Sequence, residues 1–75
     1  MIESLERGLW VIERVRQAGS ISTKTLGALP GWDKVKAHRY LKTLEKCGWL
    51  ENVSDGQPRY VLGQKVLDLA PDFRM

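Results

Sequence analysis

Hydrophobic residues recur every three or four positions over the first part of the chain, which is the spacing of an amphipathic helix. The pattern predicts a first helix from about Leu5 to Gln17, with Ser4 as its N-cap and Gly19 as its end. The apolar positions on one side of this helix form its predicted buried stripe: Leu5, Gly8, Leu9, Ile12 and Val15.

A short second helix is predicted from about Thr23 to Leu29, with Ser22 as its N-cap and with Leu26 and Leu29 facing the core. The Pro30-Gly31 pair then interrupts the chain. A helix this short, followed at once by a sharp break and another helix, is typical of a helix-turn-helix unit.

The third helix is predicted from an Asp33 N-cap to about Lys46, and Gly48 should end it. Steps of about 100° per residue gather a second set of residues on one side, which is the predicted core face. That set is Ala37, Tyr40, Leu41 and Leu44.

After Gly48 the helical spacing gives way to two short apolar stretches, WLENV and RYVL, which predict two strands. The segment SDGQP between them contains Asp55-Gly56, a strong signal for a tight turn. The hairpin should turn Leu50, Tyr60 and Leu62 inward. The following GQKVLDLA predicts a short last helix that Pro71 should end.

The outer side of the third helix carries cations and no acid before Glu45, although solvated helices usually mix the two signs. It also carries an apolar residue where water is expected. The residues of this outer face, with its flanks, are Lys34, Val35, Lys36, His38, Arg39 and Lys42, with Thr43 nearby. Two interpretations remain open from the helix alone: a basic solvated face, or a face that contacts DNA.

Three features favour DNA. The helix starts directly after a helix-turn-helix break, and its first turn would lead into a major groove. Val35 would find a partner in a thymine methyl group, and Arg39 could bond a guanine edge or pair with Glu45 on the surface. The lysines would contact DNA phosphates, and the start of the second helix at Thr23 and Lys24 could also receive a phosphate.

The remaining predicted DNA contact lies on the hairpin, where Arg59 near the tip could reach a neighbouring phosphate or the minor groove. The same hairpin also completes the core, and both interpretations can hold together.

Trp10 lies off the predicted buried stripe, between charged neighbours. Its ring could lie along the stems of those side chains. Alternatively, Trp10, Glu6 and Arg14 could form a homodimer seam along the first helix.

Composition narrows the function classes. The 75 residues suit one small domain, 1–75, and 43% of them are hydrophobic, as in a globular protein. The chain has twelve Lys and Arg residues and nine Asp and Glu residues, and the resulting formal net charge of +3 weakly favours an anionic partner. Neither the lone Cys47 nor the lone His38 belongs to a recognisable catalytic or metal-binding motif, so we expect no enzyme, cofactor or metal. No membrane span or signal peptide is evident, which indicates a cytoplasmic protein.

Four segments together resemble a known family. SLERGLWVIERV, GSISTKTLGAL, HRYLKTLEKCGWLE and RYVLGQKVLDLA are similar, in order and spacing, to the amino-terminal winged helix-turn-helix domain of the IclR family of bacterial transcriptional regulators. The resemblance spans about Ile2 to Ala70. His38-Arg39 match the family's HR pair in the recognition helix, and Tyr60, Leu62 and Gly63 match its exit from the wing.

The sequence departs from that family in three places. Gly8 stands where the family usually has alanine, and Asp33-Lys34-Val35-Lys36 replaces the usual Pro-Lys-Ser-Thr, which removes two hydroxyl donors. The effector-binding domain that follows in the family is absent from these 75 residues. The chain is therefore either an excised domain or a stand-alone protein of the kind found in phage, and no small-molecule effector is expected within it.

The predicted fold is α+β and mostly α: a winged helix-turn-helix with a three-helix core, a two-stranded β-hairpin wing and a short C-terminal helix. The predicted function is sequence-specific binding of double-stranded DNA by a transcriptional regulator. Two alternatives stay open: a protein-interaction winged helix whose basic face docks an acidic partner, and an RNA-binding winged helix. The basic face lacks the exposed aromatic side chains that stack on RNA bases, which disfavours the last.

Overall fold

The computed structural model describes residues 2–73, which form four helices and one β-hairpin. The elements follow in the order α1 (Glu3–Ala18), α2 (Thr23–Gly27), α3 (Lys34–Lys46), β1 (Leu50–Asp55), β2 (Gln57–Leu62) and α4 (Gln64–Phe73). Three helices, a two-stranded antiparallel wing and a last helix confirm the predicted winged helix-turn-helix of the α+β class.

Side-chain caps place the starts of α2 and α3 where the sequence predicts them. The backbone N–H of Thr25 donates to Ser22 Oγ at 3.0 Å, and that of Lys36 donates to Asp33 Oδ1 at 2.7 Å. Each cap satisfies an amide that the first turn of a helix leaves without an intrahelical partner.

The end of α3 is also as predicted, because Gly48 takes a left-handed φ of 88°. Its N–H donates to the Glu45 carbonyl, and the N–H of Trp49 donates to the Leu44 carbonyl at 2.9 Å. These paired bonds are a Schellman motif, which satisfies the last carbonyls and turns the chain into β1.

The start of α1 corrects the prediction of a Ser4 cap. The helix begins at Glu3, after an extended Ile2 that offers no side-chain cap, and the N–H of Glu6 donates to the Ile2 carbonyl at 3.1 Å. Glu3 and Glu6 in the first turn favour this start, because carboxylates stabilise the positive end of a helix dipole.

The buried side of α1 also differs from the predicted stripe. Val11 and Val15 are fully buried, whereas Leu5 and Leu9 are each 59% exposed and Ile12 is half-buried. At about 100° per residue, the observed core side is turned by roughly 75° from the predicted one. α1 rests on β2 and leaves two of its leucines uncovered.

The core lies between the three helices and the hairpin. Its buried residues are Val11, Val15, Ile21, Leu26, Ala37, Leu41, Leu50 and Tyr60, and Leu29, Trp32, Leu44 and Leu62 pack around them. The residues predicted to face inward from the second helix, α3 and the hairpin belong to this core or pack against it, except for the half-buried Tyr40. The second helix is shorter than predicted, because α2 ends at Gly27 and Leu29 lies beyond it.

The wing is longer than predicted, because both strands extend toward the turn at Gly56, whose φ is 89°. Leu50 pairs with Leu62 at the base of the wing and Asp55 with Gln57 at its tip. Ile21, between α1 and α2, forms a bridge to β2: it exchanges two backbone hydrogen bonds with Tyr60, at 2.9 and 2.8 Å. These bonds fix the wing to the helical part of the fold.

Pro71 does not end the last helix, contrary to the prediction, because α4 runs from Gln64 to Phe73. A proline removes its own N–H from the helix ladder and its ring crowds the carbonyl four residues earlier, but a helix can kink at that point and continue past it.

Candidate nucleic-acid interface

The outer face of α3 is exposed as the sequence predicts. Val35 is 70% exposed, and the side chains of Lys34, His38, Arg39, Lys42 and Thr43 are exposed beside it. Lys36 is half-buried. The opposite side of the same helix holds the buried Ala37 and Leu41, so α3 is anchored by one face and free on the other.

Close packing of α2 against α3 fixes the position of this face. A Cβ atom on Gly27 would lie 3.1 Å from the Lys34 Cα and 3.2 Å from the Lys34 nitrogen. A glycine at this position therefore lets the end of α2 meet the start of α3 at backbone distance. The first turn of the exposed face is held at that contact.

Two of the lysines on α3 have partners in the chain. Lys36 Nζ donates to the Gly31 carbonyl at 3.1 Å, and Lys42 Nζ donates to Glu45 Oε1 at 3.3 Å. The hydrogen bond to Glu45 raises the pKa of Lys42, as does the nearby Tyr60, so Lys42 is charged at neutral pH. Solvent screens an exposed pair of this kind, so a phosphate can replace it.

Arg39 makes no hydrogen bond or ion pair with any residue that the structure describes. The surface partner considered for it, Glu45, instead accepts from Lys42. The guanidinium therefore keeps its five donors available on the exposed face.

The other residues predicted to contact DNA lie at the start of α2 and on the wing. Lys24 is exposed and Thr23 half-buried at the start of α2, which has only five residues. Arg59 is exposed on β2, opposite Val53 and close to the turn. The structure places these residues on elements next to α3, and their contact with DNA stays a prediction.

Trp10 has partners within the chain, which the sequence did not reveal. Its ring stacks on Trp32 at 5.9 Å between centroids, and Trp32 meets Tyr40 edge-on at 5.0 Å. The Arg14 guanidinium lies 5.5 Å from the centre of the Trp10 ring, so one of the charged neighbours places its head group against the ring. Trp10 remains 41% exposed.

The exposed leucines of α1 are the residues that sequence reasoning missed. Leu5 and Leu9 face a groove between α1 and α3 that also borders Arg39. Their apolar character and spacing were visible, but that signal was assigned to the core.

Comparison with protein-family profiles identifies the family of the domain that contains α3. The profile of the IclR helix-turn-helix domain matches residues 4–54, which span α2, α3, nearly all of α1 and most of β1. The chain belongs to the IclR helix-turn-helix family. No curated protein and no solved structure is significantly similar to it.

The IclR helix-turn-helix domain is a DNA-binding regulatory domain rather than an enzymatic one. Within residues 2–73, none of the helices has the length and apolar character needed to cross a membrane.

Proposed function

We propose that this IclR-type domain binds double-stranded DNA sequence-specifically, with α3 in the major groove, as part of a bacterial or phage-type transcriptional regulator. The observation that carries the proposal is the exposed face of α3: cations and one valine, with no acid before Glu45, on the second helix of a helix-turn-helix. We further propose that residues 1–75 act as one domain in the cytoplasm, where such DNA lies.

In this proposal the exposed residues divide into two groups. Val35 and Arg39 lie four residues apart, about 6 Å along the helix axis, and would meet neighbouring base pairs. Arg39 would bond a guanine edge and Val35 a thymine methyl, with His38 beside them. Lys34, Lys36 and Lys42 on the flanks would hold phosphates, which position the helix without distinguishing bases.

Contacts outside α3 would widen the footprint. Thr23 and Lys24 would approach a phosphate from α2, and Arg59 would reach the flank of the site from the wing. A single recognition helix binds weakly, so we also propose a homodimer that contacts two half-sites.

Lys42→Ala tests the proposed contacts between lysines and DNA phosphates. The variant should weaken binding to all duplexes alike and reduce the slope of log affinity against log salt by about 0.9, the value of one phosphate contact. Binding titrations at several salt concentrations on two unrelated duplexes measure both effects. Arg16→Ala is the matched control, because it removes one exposed, acid-paired cation from α1.

Wild-type protein that shows no salt-sensitive binding to any duplex would contradict the DNA proposal. An acidic protein partner for the basic face would then be the better account. Preference for single-stranded RNA over duplex DNA as a competitor would favour the RNA alternative.

The proposed dimer seam uses Trp10, Glu6 and Arg14, which are spaced four residues apart on one side of α1. In an antiparallel pair centred on Trp10, Glu6 of one copy would lie opposite Arg14 of the other. The stack on Trp32 accounts for part of the Trp10 ring, and its exposed part would remain for the seam.

Trp10→Ala tests this seam. The variant should lose self-association and, with it, affinity for a symmetric site, because the centre of the contact is removed. It should also lose about 0.5–1.5 kcal/mol of folding free energy with the aromatic stack. Sedimentation and DNA titrations, run where both proteins are fully folded, separate these effects. Unchanged sedimentation together with unchanged DNA affinity would remove the seam.

A further inference from the structure

An open groove of about 710 Å³ runs between α1 and α3. Its apolar wall consists of Leu5, Gly8, Leu9, Ile12, Leu44 and Trp49. The two leucines are more than half exposed, so no described part of the chain covers them. The volume falls within the range of small-molecule sites, about 300–1,000 Å³.

The groove is charged at one end only. Lys36 and Arg39 border it from the first half of α3, whereas Leu44, in the second half of α3, and Trp49, after the end of that helix, border the rest. Eight residues of helix separate Lys36 from Leu44, which is about 12 Å. None of the described side chains that line the groove is acidic. The lining therefore favours an elongated molecule with an apolar body and an anionic head.

Gly8 makes the groove deeper. A Cβ atom on Gly8 would meet nothing within 4 Å, and its φ is not in the left-handed region, so neither packing nor backbone conformation requires glycine there. Glycine inside a helix costs about 0.5–1 kcal/mol relative to alanine. The missing side chain leaves room at the wall for an occupant.

We propose that this groove is a binding site for a small amphipathic anion, of which a medium-chain fatty acid carboxylate is the simplest example. Its chain would cover Leu5, Leu9 and Trp49, and its carboxylate would pair with Arg39 and Lys36. This departs from the sequence-based expectation that the chain holds no small-molecule effector.

Binding there would regulate DNA binding, a consequence that rests on the proposed function. An Arg39 guanidinium that holds a carboxylate in the groove cannot at the same time bond a guanine edge bidentately. The anion and the preferred duplex would therefore compete for the same side chain.

Decanoate and its neutral counterpart 1-decanol test the site directly on the wild-type chain, without DNA. Decanoate should shift the backbone amide resonances of Gly8, Thr43 and Leu44 and the indole N–H resonance of Trp49 in a saturable way. Decanol lacks the charge that pairs with Arg39 and Lys36, and the loss of these two charge-assisted contacts predicts at least about tenfold weaker binding.

Three variants locate the ligand. Gly8→Leu fills the groove and should weaken decanoate at least about tenfold, whereas Gln17→Leu adds the same side chain on the far side of α1 and should bind normally. Leu9→Gln, at an exposed position, should weaken the binding of decanoate and of decanol alike. This variant provides the test of the site if Gly8→Leu does not fold. Gly8→Leu or Leu9→Gln that folds and binds decanoate like wild type would overturn the site.

Measuring DNA affinity with and without decanoate separates the proposed ligand site from the proposed DNA-binding function. Decanoate should lower the affinity of wild-type protein for its selected duplex and leave that of Gly8→Leu unchanged. A protein that binds DNA but shows no decanoate shifts overturns the ligand site alone. A wild-type dimer whose α1 leucines are protected and unresponsive to decanoate would show that a second copy fills the groove, and would also overturn it.

Discussion

Replacing Leu41 with alanine should lower the free energy of unfolding by about 2–5 kcal/mol, the usual cost of truncating a fully buried leucine. Leu41 is 0% exposed and lies on the core side of α3, among residues from all three core helices and the hairpin. A chain of 75 residues has roughly 4–11 kcal/mol of stability in total, so the variant should be partly unfolded near physiological temperature.

Urea denaturation followed by circular dichroism measures this effect, with Val35→Ala as the matched control on the same helix. Val35 is 70% exposed, so its truncation should change stability by less than about 0.5 kcal/mol. Equal losses in the two variants would contradict the assignment of the core and outer sides of α3.

Gly63→Ala should cost about 3 kcal/mol, the upper part of the range for an overfilled site. A Cβ atom on Gly63 would clash with the Gly48 carbonyl oxygen and would lie 2.9 Å from both the Leu50 nitrogen and the Trp49 carbonyl carbon. These are backbone atoms, which cannot rotate away. The Gly63 N–H also donates to the Trp49 carbonyl at 2.8 Å, so the crossing of the two segments would have to open.

Gly8→Ala is the matched control, because the same added methyl group meets nothing within 4 Å. It should stabilise the domain by about 0.5–1 kcal/mol through helix propensity. Thermal unfolding of both variants against wild type decides the matter. A Gly63→Ala protein as stable as wild type would show that β2 does not leave the wing by the path seen here.

The parts of the fold that sequence predicted well are those that local chemistry determines. Ser22 and Asp33 each cap a helix within three residues of their own position, and Gly48 ends α3 with a left-handed turn. The core side of α3 followed from its spacing, because Ala37 and Leu41 have no competing apolar face beside them.

The parts that sequence predicted wrongly depend on contacts distant in the chain. Spacing gives the angles between α1 residues, but packing on β2 decides which side is buried, and it buried Val11 rather than Leu5. The partner of Trp10 is Trp32, 22 residues away, and no local pattern links the two. The predicted Ser4 cap was wrong because the helix starts two residues earlier, at Glu3, and the predicted end at Pro71 was wrong because α4 continues past it.

The candidate site was predictable only in part. The exposed face of α3 followed from helical angles and charge, and the structure leaves Arg39 on that face without a described partner, as a base contact requires. The pairing of Lys42 with Glu45 and the groove beside Arg39 both depend on side-chain positions. A linear pattern does not contain those positions.

Selection of binding sites from one random duplex library, carried out with wild type, Arg39→Ala and Val35→Ser, tests the central claim that the outer face of α3 contacts bases. Wild type should select a defined motif. Arg39→Ala should lose about 1–3 kcal/mol on that motif and relax it at one position. Val35→Ser should relax the motif at the one position where Val35 meets a thymine methyl group, because the serine hydroxyl gives that methyl no apolar partner. If both variants select the wild-type motif unchanged, this face does not recognise bases and the account is wrong.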